Sequence, residues 1–87
     1  MSDRPFLLLT QGACPGCERL KKMLAGPLRG QFDSHIEVIH RQSAQERFDA
    51  LSAHFGVRSV PALIRVSDGT RAHDPGSLGA VRAFLQG

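Results

Sequence analysis

The chain has 87 residues, 41% apolar and 22% charged, a length that suits one domain spanning 1–87 and a composition too apolar for disorder. Eleven Lys and Arg against eight Asp and Glu give a formal charge of +3, spread from Arg4 to Arg82, with five Phe and no Tyr or Trp. That pattern excludes the clustered cations and stacking rings of a nucleic-acid binder, and no apolar run nears the ~18 residues that would cross a bilayer.

The opening Met1-Ser2-Asp3-Arg4-Pro5 carries an acid and a proline, and the apolar run behind it is too short for the core of a secretory signal. A reducing cytoplasm is therefore the expected setting. Phe6 to Thr10 is continuously apolar up to its last residue, which predicts a strand buried on both faces. Gln11-Gly12-Ala13 is a turn, and it delivers Cys14 to the N-cap of a helix with Pro15 at the first helical position. In that helix Cys17, Leu20, Met23 and Leu24 form an apolar stripe, and Gly26-Pro27 ends or kinks it. Residues 30–34 read as loop.

Ile36 to Ile39 predicts a second strand, with His35 and His40 flanking it. His40 stands at the strand end, where a site can lie, but reads as a surface or cap residue. Ser43-Ala44-Gln45-Glu46 fits a capping box, followed by Phe48, Leu51 and Phe55 at helical spacing and by Gly56 as a stop. Val57 to Val66 predicts a third strand with Pro61 near its start. Asp68-Gly69 signals a hairpin, with 70–73 as a short return strand. Pro75-Gly76 marks a loop, Ser77 caps a last helix, and Leu78, Val81, Phe84 and Leu85 give that helix its apolar side. The predicted order is β-α-β-α-β-β-α, an α/β fold.

Chemistry concentrates at Cys14-Pro15-Gly16-Cys17, which holds both cysteines of the chain. At a helix start, unpaired N–H groups and the positive end of the helix dipole face the Cys14 sulfur and favour its reactive thiolate form. Cys17, one turn deeper on the same face, is within bonding reach. A structural bridge, half of a zinc site or two inert thiols are the plainer alternatives. A bridge closing four residues adds only about 2 kcal/mol by loop entropy. A zinc site usually needs a second CxxC or an HxxxH pair, whereas His35, His40, His54 and His73 are scattered. CxxC ahead of an amphipathic helix in a βαβ setting is itself a redox signature.

The pairing of that motif with Ser59-Val60-Pro61-Ala62-Leu63 at the opening of the third strand resembles the thioredoxin-fold superfamily, over essentially the whole chain. Phe55-Gly56-Val57-Arg58-Ser59-Val60-Pro61, Asp68-Gly69, Gly76 and the closing helix look more like thioredoxin, whereas the size and Pro15 look like glutaredoxin. The resemblance implies a three-layer α/β/α domain, a minimal βαβ-αββα core around a four-stranded mixed sheet. It also implies a cis Val60-Pro61 bond, with Pro61 set against the cysteines and Val60 backbone groups free to pair an extended substrate segment. The chain departs from both subfamilies. Thioredoxin's Trp before the first cysteine is Ala13, and its buried Asp six residues ahead falls on Leu8. Glutaredoxin's basic residue three before that cysteine is Gln11, and its Gly-Gly-acid stretch becomes Gly76-Ser77-Leu78-Gly79.

The expectation is a monomeric thiol–disulfide oxidoreductase in which Cys14 attacks a protein disulfide and Cys17 resolves the mixed disulfide. No G-x-G-x-x-G appears, so NADPH electrons must arrive through a reductase of thioredoxin-reductase type, or from glutathione. No bound cofactor or metal is expected beyond the Cys14–Cys17 disulfide itself. Ala13, Pro15, Val60, Pro61 and Gly76 are the expected contacts to substrate and reductase. A glutathione-dependent glutaredoxin is one alternative. From a different class, the alternatives are a pair of soft Cu(I) ligands or the switch of a binding module, although metal handling gives no reason for Val60-Pro61.

Overall fold

In the computed structural model, residues 4–86 are described. They form β1 (Phe6–Thr10), α1 (Pro15–Ala25), a 3-10 turn (Asp33–His35), β2 (Ile36–His40), α2 (Gln45–Phe55), β3 (Ala62–Arg65) and α3 (Leu78–Gln86). The sheet order is β2-β1-β3. β1 runs parallel to β2, with Leu8 opposite Val38, and antiparallel to β3, with Leu8 opposite Leu63. All five residues of β1 are buried, as a central strand covered on both faces requires.

Strand alternation divides the core into two layers. Phe6 and Leu8 join Leu20, Met23, Leu24, Leu28, Ile36, Leu63, Val81 and Leu85, so α1 and α3 cover one face. Leu7 and Leu9 join Ile39, Phe48, Ala62 and Ile64, so α2 covers the other. The three-layer α/β/α arrangement follows from that division. Among the described residues no helix is long and apolar enough to cross a membrane.

Helix ends obey local chemistry. Gly26 caps α1, its N–H bonded to Lys22 O at 2.8 Å, and Gly56 ends α2 in the left-handed region at φ 67. Ser77 Oγ accepts the Ala80 N–H at 3.4 Å at the start of α3.

Four expectations need correction. The sheet has three strands among the described residues, not four. The return segment makes a single bridge, Ile64 to Arg71, with the Arg65 N–H on Thr70 O and the Ala72 N–H on Leu63 O. Asp68 captures the Thr70 N–H and hydroxyl at 3.0 and 2.7 Å at one end of it. At the other, Pro75 lacks the donor a longer ladder would need. The third strand begins at Ala62 rather than Val57. The register that sets Leu9 opposite Ala62 would next set Thr10 opposite Pro61, which has no N–H to give.

Ser43 is not the cap of α2. Its N–H is spent on His40 O in the turn out of β2, and the helix starts one residue later from Ala44, without a side-chain cap. Finally, Leu78 is 40% exposed. It opens α3 ahead of the turns that bury Val81 and Leu85, while Phe84 packs on Phe6 at 5.6 Å.

Candidate active site at the start of α1

β1 stops at Thr10, and Gln11 to Ala13 carry the chain over the sheet end to α1. That connection is tied to the turn after β2: the Gly12 N–H bonds Gln42 Oε1 at 2.9 Å, and the Arg41 guanidinium bonds Gln11 Oε1 at 3.2 Å. Ala13 takes a left-handed conformation (φ 53), an unusual state for a residue with a Cβ. It reverses the chain so that Cys14, extended at φ −122 and ψ 99, becomes the N-cap. Pro15 follows at the first helical position, as its missing N–H allows.

Cys14 and Cys17 are joined as a disulfide, their Cα atoms 5.2 Å apart. The two sulfurs are not equivalent. Cys17 is 1% exposed, whereas Cys14 is half-buried at the rim. Cys14 Sγ also accepts the Cys17 N–H at 3.1 Å, taking the place of an N-cap oxygen. A sulfur so placed gains more as an anion than as a neutral thiol, because helix N–H groups and the dipole both favour negative charge.

The segment leading into β3 supplies the other wall. Val60 O lies 3.8 Å from Cys14 Sγ, and the Val60-Pro61 peptide bond is cis. Pro61 stands against Gly16, where a Cβ would meet its Cδ at 3.1 Å. Cys14, Gly16, Cys17, Val60 and Pro61 are thereby brought together. Ala13 and Pro15 are exposed on the rim beside them. Gly76 is an exposed loop residue whose N–H bonds Asp74 Oδ1 at 3.1 Å, and it approaches α1 at the Arg19 guanidinium rather than at the sulfurs.

Shallow grooves flank the Val60-Pro61 step. One is lined by Ser59, Pro61, Arg71 and His73, the other by Gln11, Arg41, Arg58 and Val60. Gly16 is the site residue that the cysteine motif does not single out, although a glycine inside the first turn of a helix is the signal for a close approach from outside. Among the described residues, no group of three or more His, Cys, Asp or Glu is placed to hold a metal ion.

No family model matches the sequence, and no curated protein matches it. Among solved structures the chain is similar to oxidised glutaredoxin 2 from Chlamydomonas reinhardtii. The identity is 21% and the TM-score 0.57, over 98% of this chain and 78% of that one. The two share a fold.

Proposed function

We propose that this chain is a small thiol–disulfide oxidoreductase that reduces disulfides in protein substrates. The observation that carries the reading is the asymmetry of the pair: one sulfur at a helix N-terminus and at the surface, the other one turn deeper and buried. The reduced Cys14 thiolate attacks a substrate disulfide and releases one substrate thiol. Cys17 then attacks the Cys14 sulfur, releases the second substrate thiol and leaves Cys14–Cys17 oxidised. The Val60 backbone beside Cys14 pairs the extended substrate segment, in the manner of strand addition. Ala13 and Pro15 flank the point of attack, and Gly76 extends the contact surface beyond Arg19.

For re-reduction, a protein reductase fed by NADPH fits better than glutathione. A charged tripeptide needs fixed partners for its carboxylates and its amine. The last helix opens Ser77-Leu78-Gly79-Ala80 with no acid for the amine, and Arg58 and Arg41 in the groove beside Val60 answer only the carboxylates. Glutathione is the second reading, favoured by the likeness to a glutaredoxin and by Pro15 beside Cys14. Reduction of the oxidised protein by NADPH with thioredoxin reductase, against NADPH with glutathione and its reductase, separates the two.

The test of the function itself is alkylation of the reduced protein across pH, read by mass spectrometry. Cys14 should label first, and at lower pH than an ordinary thiol, because the helix start favours its thiolate. Cys17→Ser should trap a mixed disulfide with a protein substrate, and Cys14→Ser should not. Preferential labelling of Cys17 overturns the assignment.

A further inference from the structure

Two polar atoms at the C-terminal ends of β1 and β2 lie outside the chemistry described so far. Thr10 is fully buried, and its Oγ1 has no hydrogen-bond partner among the described residues; the same holds for His40 Nδ1. These residues sit directly opposite each other in the β1–β2 register. By alternation from Phe6 and Leu8, both belong to the face that α1 covers. Leaving such groups unpaired is costly, so a role in another redox state of the site would account for them.

Their height along α1 identifies that role. Leu8 and Val38 share a groove with Lys21 and Leu24 of α1. Two strand residues toward the site is about 6.6 Å, and four helix residues back is about 6 Å. The step from Leu8 and Val38 to Thr10 and His40 therefore matches the step from Lys21 to Cys17. Cys17, 1% exposed, therefore stands at the height of the two unpartnered atoms.

We propose that Thr10 and His40 form the proton path of the resolving cysteine. This inference rests on the oxidoreductase reading above. In the mixed disulfide, Cys17 carries a thiol proton that must leave before its sulfur can attack. In that state the Thr10 hydroxyl, which bonds neither neighbour in the oxidised protein, turns between them and takes the Cys17 S–H proton as it gives its own proton to His40 Nδ1. The Cys17 sulfur then forms the S–S bond to Cys14, the Cys14–substrate S–S bond breaks, and the electron pair leaves on the substrate sulfur as a thiolate. The substrate disulfide is reduced to two thiols and the Cys pair is oxidised. Imidazole is the side chain suited to taking up a proton near neutrality. His40 is only half-buried although its Nδ1 is covered, which gives the proton an exit to solvent. Other charges lie around the pair without replacing it. Lys21 lies further along α1, in the groove beside Leu8 and Val38, Arg41 is engaged by Gln11 and the Phe48 ring, and Glu37 is turned to the α2 face, where Arg47 binds it at 2.8 Å.

The experiment follows the two thiolates released when the reduced full-length protein reacts with the aromatic disulfide dithionitrobenzoate. The first release reports Cys14, and the second reports resolution by Cys17. Thr10→Val and His40→Gln should leave the first release unchanged. They should slow the second at neutral pH by about 10²-fold, the lower end for a general base, and shift its pH profile toward the ordinary thiol range near 8.5. Thr10→Ser, which keeps the hydroxyl, should restore the wild-type profile. Because His40 is on an edge strand and half-buried, its variant reads the path even where Thr10→Val perturbs packing. A second release with unaltered rate and pH profile in His40→Gln overturns the proton path while leaving the oxidoreductase reading intact. Absence of a second release in the wild-type protein overturns that reading itself.

Discussion

At Gly16 a single hydrogen separates the first turn of α1 from Pro61. A Cβ there would stand 3.1 Å from the proline Cδ, closer than side chains normally pack, and the ring cannot rotate away because it is part of the backbone. The distance between the Cys14 sulfur and Val60 O depends on the same contact, since Cys14 lies two residues before Gly16 and Val60 one before Pro61. Gly16→Val adds a branched side chain at this position and should destabilise the protein by about 1–3 kcal/mol, as overpacking does. Chemical denaturation of the oxidised protein measures that loss. Turnover with a protein disulfide should fall further than the loss of folded protein accounts for, because the helix start must move away from the proline wall.

At the scale of elements, α2 and the β3 hairpin show what local chemistry decides. α2 begins at Ala44, which offers no oxygen to the first-turn N–H groups. Ala44→Ser supplies one and should stabilise the protein by about 0.5–1 kcal/mol, measured as a raised denaturation midpoint. In the hairpin, the Thr70 hydroxyl first, then the Thr70 N–H and Arg65, hold the Asp68 carboxyl below its ordinary value of 3.8. A depressed folded value means that the ionised turn is favoured above that pH and that the preference is lost as pH falls through the folded value. A carboxyl titration followed by NMR should place the Asp68 midpoint below 3.8, and Thr70→Val should move it upward.

The same elements show what the sequence discloses. β1, α1 with its cysteine cap, the Gly26 and Gly56 stops and the Ser77 cap were legible, because each rests on residues within one turn of one another. The start of α2 was not, because Ser43 is claimed by His40 O, a contact made only once β2 has ended. The fourth strand was not, because a hairpin signal specifies the turn and not how far pairing continues beyond it. The cysteine pair could be read from its motif, whereas Gly16, Thr10 and His40 acquire meaning only through partners from β3, β2 and α1 that the fold brings to them.

For the molecule as a whole, the question is whether the disulfide holds the fold or merely sits in it. The cores on the two sides of the sheet are built from β1, β2, β3 and the three helices, and of the cysteines only the buried Cys17 belongs to the apolar interior. The bridge spans a sequence separation of 3 inside the first turn of one helix and links no two elements. Loop-closure entropy for so short a ring amounts to about 2 kcal/mol. In the reduced state part of that is returned, since the Cys17 N–H bond to the Cys14 sulfur and the helix dipole both strengthen when the sulfur carries charge. The reduced protein should therefore remain folded, with far-UV circular dichroism unchanged and an unfolding free energy within about 2 kcal/mol of the oxidised form. Paired urea titrations with and without a non-thiol reductant such as a phosphine make the comparison. Loss of cooperative unfolding on reduction would instead make the pair a structural staple, and would count against a chain that cycles between the two states in use.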